Sequence, residues 1–194
     1  MKKLLVTIVA CLICLYCPGQ DCMSFKGIPF NTSLSEFTKQ MTSKGMVLLH
    51  TQTEPTLIAT AFKGDFAGQS DCEVYAFSTL DKSCIFKVVV YLPAKTTWYD
   101  LKNCYNGMLD SYTDKYGEPK DDYKVFSSPY YDGDGYEMSA VANEKCIYAA
   151  FWEFSYGTIL MEISKFKQVR IAYEDANNIK KVIEKKRQAI NDDI

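Results

Sequence analysis

Apolar residues in this chain recur first at helical spacing and then in alternation, and the whole order occurs twice. Ser33-Leu34-Ser35-Glu36 forms a capping box, in which the Ser33 hydroxyl can accept the Glu36 N–H. Leu34, Phe37 and Met41 then fall on one helix face, which predicts a short helix to Lys44 stopped by Gly45. Strand-like runs follow at Met46 to His50, Thr56 to Lys63, Cys72 to Leu80 and Cys84 to Leu92, the last two joined by Asp81-Lys82 as a hairpin. If Leu80 pairs with Ser83, Cys84 faces Thr79 and Cys72 faces Tyr91. Tyr75, Phe77, Cys84, Phe86, Val88 and Val90 then share the apolar face, the one expected to meet the core.

After Pro93 the helical spacing returns. Thr97 and Asp100 can cap a longer helix, with Trp98, Leu101, Tyr105, Met108, Tyr112 and Tyr116 at steps of three and four, and Gly117 and Pro119 end it. Alternation resumes at Tyr123 to Phe126, Tyr136 to Ala142, Cys146 to Phe154, Thr158 to Phe166 and Val169 to Tyr173, with turns at Asn143-Glu144-Lys145 and Tyr156-Gly157. From Asn177 to Asn191 the composition is helical, with a narrow stripe of Ile179, Val182, Ile183 and Ile190. Hairpin-length links and few helices predict an α+β fold with antiparallel sheet, because a parallel sheet needs a crossover helix after nearly every strand. The expected organisation is a leader over residues 1–19, a first helix-plus-sheet repeat of the α-β-β-β type over 20–94, a second over 95–176, and a C-terminal helix over 177–194.

The leader changes the composition that matters. Lys2 and Lys3 precede an apolar run from Leu4 to Tyr16, the length of a signal-peptide core and too short for a bilayer span. Cys17 and Gly19 suit a cut before Gln20, which predicts an exported protein, periplasmic or extracellular. A lax lipobox at Ile8-Val9-Ala10-Cys11 is the rival, and membrane attachment is expected only if a cysteine there is lipidated. Removing the leader leaves 20 Lys+Arg against 24 Asp+Glu, a net charge of −4. That balance argues against a nucleic-acid partner, which needs a basic footprint, and the run Lys180 to Arg187 fits a solvated helix face. Five cysteines remain, Cys22, Cys72, Cys84, Cys104 and Cys146; export permits a disulfide, and Cys84 with Cys104 is the pair the pattern favours.

Gly27-Ile28-Pro29-Phe30, Phe62 to Gly68 with Cys72, Lys115-Tyr116-Gly117-Glu118-Pro119, and Ile171 to Asp175 with Asn178 resemble an uncharacterised family of exported and phage-associated proteins from gut Bacteroidales. The resemblance spans most of the mature chain and implies no activity. The layout is also similar to tandem repeats of the β-lactamase-inhibitor-protein and small outer-membrane-assembly lipoprotein type, which implies binding in preference to catalysis.

Candidate chemistry is sparse. His50 is the only histidine, and no nucleophile elbow, phosphate loop, dinucleotide fingerprint or zinc spacing is present. Carboxylate chemistry needs only two acids at the right separation, so a hydrolase is the alternative to a non-enzymatic binding protein, with an envelope assembly or structural factor as a third reading. Asp132, Asp134 and Glu137, spaced by Gly133 and Gly135, are the candidate metal ligands; the spacing suits an exposed Gly/Asp hairpin loop, and the cation such a loop would take is Ca²⁺. Tyr130, Tyr131 and Tyr136 beside it are the candidate binding residues for a protein or glycan partner, against the plainer reading that they pack on the sheet. Asn31-Thr32-Ser33 is a glycosylation sequon in form, but Ser33 is wanted as a helix cap.

Overall fold

The computed structural model describes residues 22–192, so the leader, its cut site and the lipobox lie outside the described residues. Its elements run β1 (Ser24–Phe25), β2 (Ile28–Pro29), α1 (Leu34–Ser43), β3 (Val47–Glu54), β4 (Leu57–Phe66), β5 (Gln69–Ser78), β6 (Ile85–Tyr91), α2 (Trp98–Tyr116), β7 (Asp121–Phe126), α3 (Glu137–Ala142), β8 (Cys146–Phe154), β9 (Gly157–Ile163), β10 (Val169–Asp175) and α4 (Ala176–Asp192). The fold is α+β, as the alternation predicts.

Eight strands form one antiparallel sheet in the order β3-β4-β5-β6-β10-β9-β8-β7, and β1 pairs with β2 in a separate hairpin. Every neighbouring pair except β6 and β10 is joined directly or through a short excursion in sequence. The strands that open each half, β3 and β7, therefore become the two edges, and the closing strands β6 and β10 meet in the middle.

Helices α1 and α2 begin as their sequences dictate. Ser33 Oγ accepts from Glu36 N at 3.3 Å and Thr97 Oγ1 from Asp100 N at 3.1 Å, each satisfying one of the free N–H groups of a first helical turn. Leu34, Phe37 and Met41 of α1 and Leu101, Tyr105, Met108, Leu109 and Tyr112 of α2 are buried. They join Val74, Val88, Val90, Ile159, Met161 and Ile171 in one hydrophobic cluster on one side of the sheet. Each such side chain contributes about 1.5–3 kcal/mol by leaving water. Trp152 Nε1, deep in the cluster, donates to the carbonyl of Gly117 at 2.8 Å, which fastens the end of α2 to β8.

The segments around Gly27, Gly117 and Asp175 hold structural posts. Gly27 closes the β1–β2 turn and Gly117 caps α2, both at positive φ. Asp175 is fully buried, and its carboxylate accepts from Met23 N at 2.8 Å and from Asn178 N at 2.8 Å, so it ties the first strand to the start of α4. Asn178 donates in turn to the carbonyls of Phe30 and Ile85.

Three expectations are corrected. The β5–β6 hairpin keeps the Thr79–Cys84 pairing near its turn, but Phe86 is an extra residue between the pairs Ser78↔Ile85 and Phe77↔Lys87. Beyond that bulge Glu73, not Cys72, faces Tyr91, and the one-residue shift sends Tyr75 and Phe77 to the face opposite Val88 and Val90. Tyr136 to Ala142 is not a strand; Tyr136 caps α3, whose Ala140 and Val141 are buried at helical spacing. The five cysteines are free thiols. Cys104 lies near Cys72 and Lys95, at the end of the hairpin away from Cys84, so the favoured pair is kept apart by the length of the strands.

Candidate functional site

Helices α1 to α3 send their buried residues to one side of the sheet, and the other side is built from the alternate positions of the same strands. Following the register across six strands, Ala61, Tyr75, Val89, Ala172, Leu160 and Phe151 stand in one row. On one flank lies the row Lys63, Glu73, Tyr91, Arg170 and Glu162, and on the other Phe77, Lys87, Glu174, Thr158 and Glu153. An apolar stripe thus crosses the strands between two polar rows.

The polar rows neutralise themselves. Arg170 Nη1 lies 2.7 Å from Glu162 Oε1, and Lys87 Nζ lies 2.6 Å from Glu174 Oε1, each directly across a strand boundary. Lys63 pairs with Asp71 at 3.0 Å, and Lys120 pairs with Glu153. Burial lowers the Arg170 pKa, but Tyr91 and Glu162 outweigh it and hold the guanidinium above its ordinary value, so it stays charged. Tyr75 and Tyr91 meet edge to face at 5.9 Å, and Tyr75 donates its hydroxyl to Glu73 at 3.0 Å. Burial, then Glu73, pushes the Tyr75 phenol up.

Two depressions break this surface on either side of Arg170. One of about 430 Å³ is lined by Tyr75, Phe77, Val89 and Tyr91, the other of about 330 Å³ by Ile147, Ala149, Glu162 and Ser164. Tyr91, Arg170 and Phe166 line both. Phe166, in the β9–β10 turn, is 66% exposed, which is unusual for a phenylalanine beside two hollows. Ser164 Oγ is buried there with no hydrogen-bond partner among the described residues.

The loop singled out from the sequence is a different region. Tyr131 and Tyr136 are exposed, while Tyr130 is half-buried against the core and its hydroxyl accepts from Asn143 Nδ2 at 3.1 Å. Asp134 accepts from the backbone N–H of Tyr131 at 3.0 Å and of Tyr136 at 2.7 Å, Glu137 from Gly133 N at 2.9 Å, and Asp132 pairs with Lys102 at 3.3 Å. These carboxylates hold the loop in shape and do not converge on a common point; among the described residues no group of three or more His, Cys, Asp or Glu is placed to hold a metal ion. Cys146 beneath it is pushed up to about 12 by burial, then by Asp132 and Glu137, so its thiol is protonated and a poor nucleophile at neutral pH.

Arg170, Lys87, Glu162, Glu174, Leu160 and Phe151 are the face residues that sequence reasoning passed over. Their signal was alternation: Lys87 and Tyr91 interrupt valines in β6, and Arg170 and Glu174 interrupt apolar residues in β10. The fold and this face define an α+β protein with a one-sided antiparallel sheet. No family model, curated protein or solved structure matches the chain.

Proposed function

We propose that this is an exported, non-enzymatic binding protein whose open sheet face receives a protein partner. The observation that carries the reading is the apolar row flanked by two self-neutralised polar rows. Six strands at about 4.8 Å spacing and about six residues along each give a surface on the order of 600 Å². That approaches the ~800 Å² each partner buries in a standard protein–protein interface and exceeds what one sugar ring needs. Tyr75, Tyr91, Phe151 and Phe166 supply rigid contact area, and the paired charges around them supply register without a large desolvation cost. A hydrolase is disfavoured because, of the four glutamates in the polar rows, Glu162, Glu174 and Glu153 each hold a cation and only Glu73, which accepts the Tyr75 hydroxyl, does not, whereas that chemistry needs two free carboxyl groups. The helix-then-strands order in both halves fits an internal duplication that widened one binding sheet.

The test is site-specific photocrosslinking in cells that express the full chain. A crosslinker at Leu160 or Phe166 should yield one shared adduct, identified by mass spectrometry, while one at Lys39 or Asp110 on the helices should not. Equal adducts from both sides, or none from the open face, would end this reading.

A further inference from the structure

A second hollow lies on the helix-covered side, and it does not depend on the open-face reading. Its volume is about 320 Å³. One wall is the last stripe of α2, where Met108, Ser111, Tyr112, Lys115 and Tyr116 follow at steps of three, one, three and one. The other walls are two tight turns. Lys26-Gly27 joins β1 to β2 and Ala67-Gly68 joins β4 to β5, with φ of +50°, +75°, +49° and +77° in that order, the two-residue turn with left-handed backbone at both positions. Lys26 Nζ donates to the carbonyl of Asp65 at 2.9 Å and so bridges one turn to the other. Tyr173 of β10 is at the base, its hydroxyl paired with that of Tyr112.

The lining has an apolar body and a charged rim. Phe25 and Phe66 stack at 5.3 Å, Phe25 meets Tyr173 edge to face at 5.5 Å, and Lys115 Nζ lies 4.8 Å above the Tyr116 ring. Lys26 and Lys115 are the only charged residues of the lining, and neither forms an ion pair among the described residues. Lys26 stands at φ +50° in its turn, the same backbone region that Lys82 and Lys167 adopt in theirs.

We infer that this hollow binds a small amphipathic carboxylate, its apolar body against Phe25, Phe66, Met108 and Tyr116 and its head between the Lys26 and Lys115 ammonium groups. Two cations and no acid select the anion, and the aromatic walls select an aryl or short acyl body over an inorganic ion.

The experiment follows the Met108 methyl signal by NMR in the full mature chain with labelled methionine, titrating 4-phenylbutanoate, 4-phenylbutylamine and inorganic phosphate. The carboxylate should shift the signal saturably with a dissociation constant on the order of 1 mM, and the isosteric amine should bind at least ~10-fold more weakly. Lys26→Gly keeps the turn, since glycine is at ease at φ +50°, and Lys115→Gln keeps the helix; each should weaken the carboxylate while the melting temperature holds. Equal binding of amine and acid, a double variant that binds as the parent does, or no Met108 shift by carboxylate would each overturn the inference. So would phosphate alone reproducing the carboxylate's response, because the apolar walls would then have no part in it.

Discussion

The two faces of strands β5, β6 and β10 are made from alternate residues of the same chain, and they follow different rules. Cys72, Val74, Ala76, Val88, Val90 and Ile171 are wholly buried under the helices, with no charged residue opposite them on β4, β5, β6 or β10. One residue along the strands, on the other face, Lys87, Arg170, Glu162 and Glu174 pair across strands around Tyr75, Val89 and Leu160. The covered face gains its stability from dispersion and the removal of apolar area from water, and it tolerates no gap. The ion pairs of the open face add little stability, because partly exposed cross-strand pairs contribute only ~0.2–1 kcal/mol each, and its apolar burial is confined to the small residues Ala61, Val89 and Ala172 at the floor of the row. What those pairs do is keep a wide apolar row from being a sticky one.

The largest expected effect lies on the covered face. Trp152→Ala should cost ~3–5 kcal/mol in denaturant unfolding, through a cavity under α2 and the lost bond to Gly117. Gly157→Ala should cost ~1–3 kcal/mol or more, since its Cβ would stand 2.2 Å from the Glu174 carbonyl, a backbone atom that cannot swing aside. A loss below ~1 kcal/mol in both would mean that the covered face is not packed as described.

On the open face, Leu160→Asp should change stability by no more than ~1 kcal/mol and yet remove the crosslinked partner. Unfolding would instead show that the face is part of the core. A double-mutant cycle on Arg170→Gln and Glu162→Gln is the finer probe, with an expected coupling of ~0.2–1 kcal/mol by denaturant melts. Coupling several times larger would place this pair in a dry interior and close the face to partners.

That contrast explains what the sequence disclosed. Both capped helices, with the stripes Leu34-Phe37-Met41 and Leu101-Tyr105-Met108-Tyr112, follow from spacing alone, since local N–H satisfaction and one buried face act within each segment. The face of Tyr75 and Phe77 did not follow. Its assignment rests on Phe86, a single inserted residue, and a period of two inverts at each insertion. Tyr136 to Ala142 misled for a related reason: seven residues are too few to separate alternation from helical spacing, and the burial of Ala140 and Val141 decides it. The open face was illegible as a site because β6 and β10, far apart in sequence, meet at its centre, where Lys87 pairs with Glu174.

The smallest effect tests where the two faces end, at the β5–β6 turn. Lys185 of α4, then Thr79 and Ser83, donate hydrogen bonds to Asp81 and hold its carboxyl well below the usual carboxylate range. A carboxyl depressed on folding contributes stability that is present above its unfolded value of about 3.9 and is lost as pH falls through the folded value. Asp81→Asn should therefore lower stability at pH 7 by less than ~1 kcal/mol, because Lys185 and Asp81 are both about half exposed and water screens them. The gap between parent and variant should stay level from about pH 7 to 5 and close below about pH 4. A gap that persists unchanged into that acid range would show that the turn is held by Thr79 and Ser83 through geometry and not by charge, leaving α4 anchored at Asp175 and Asn178 alone.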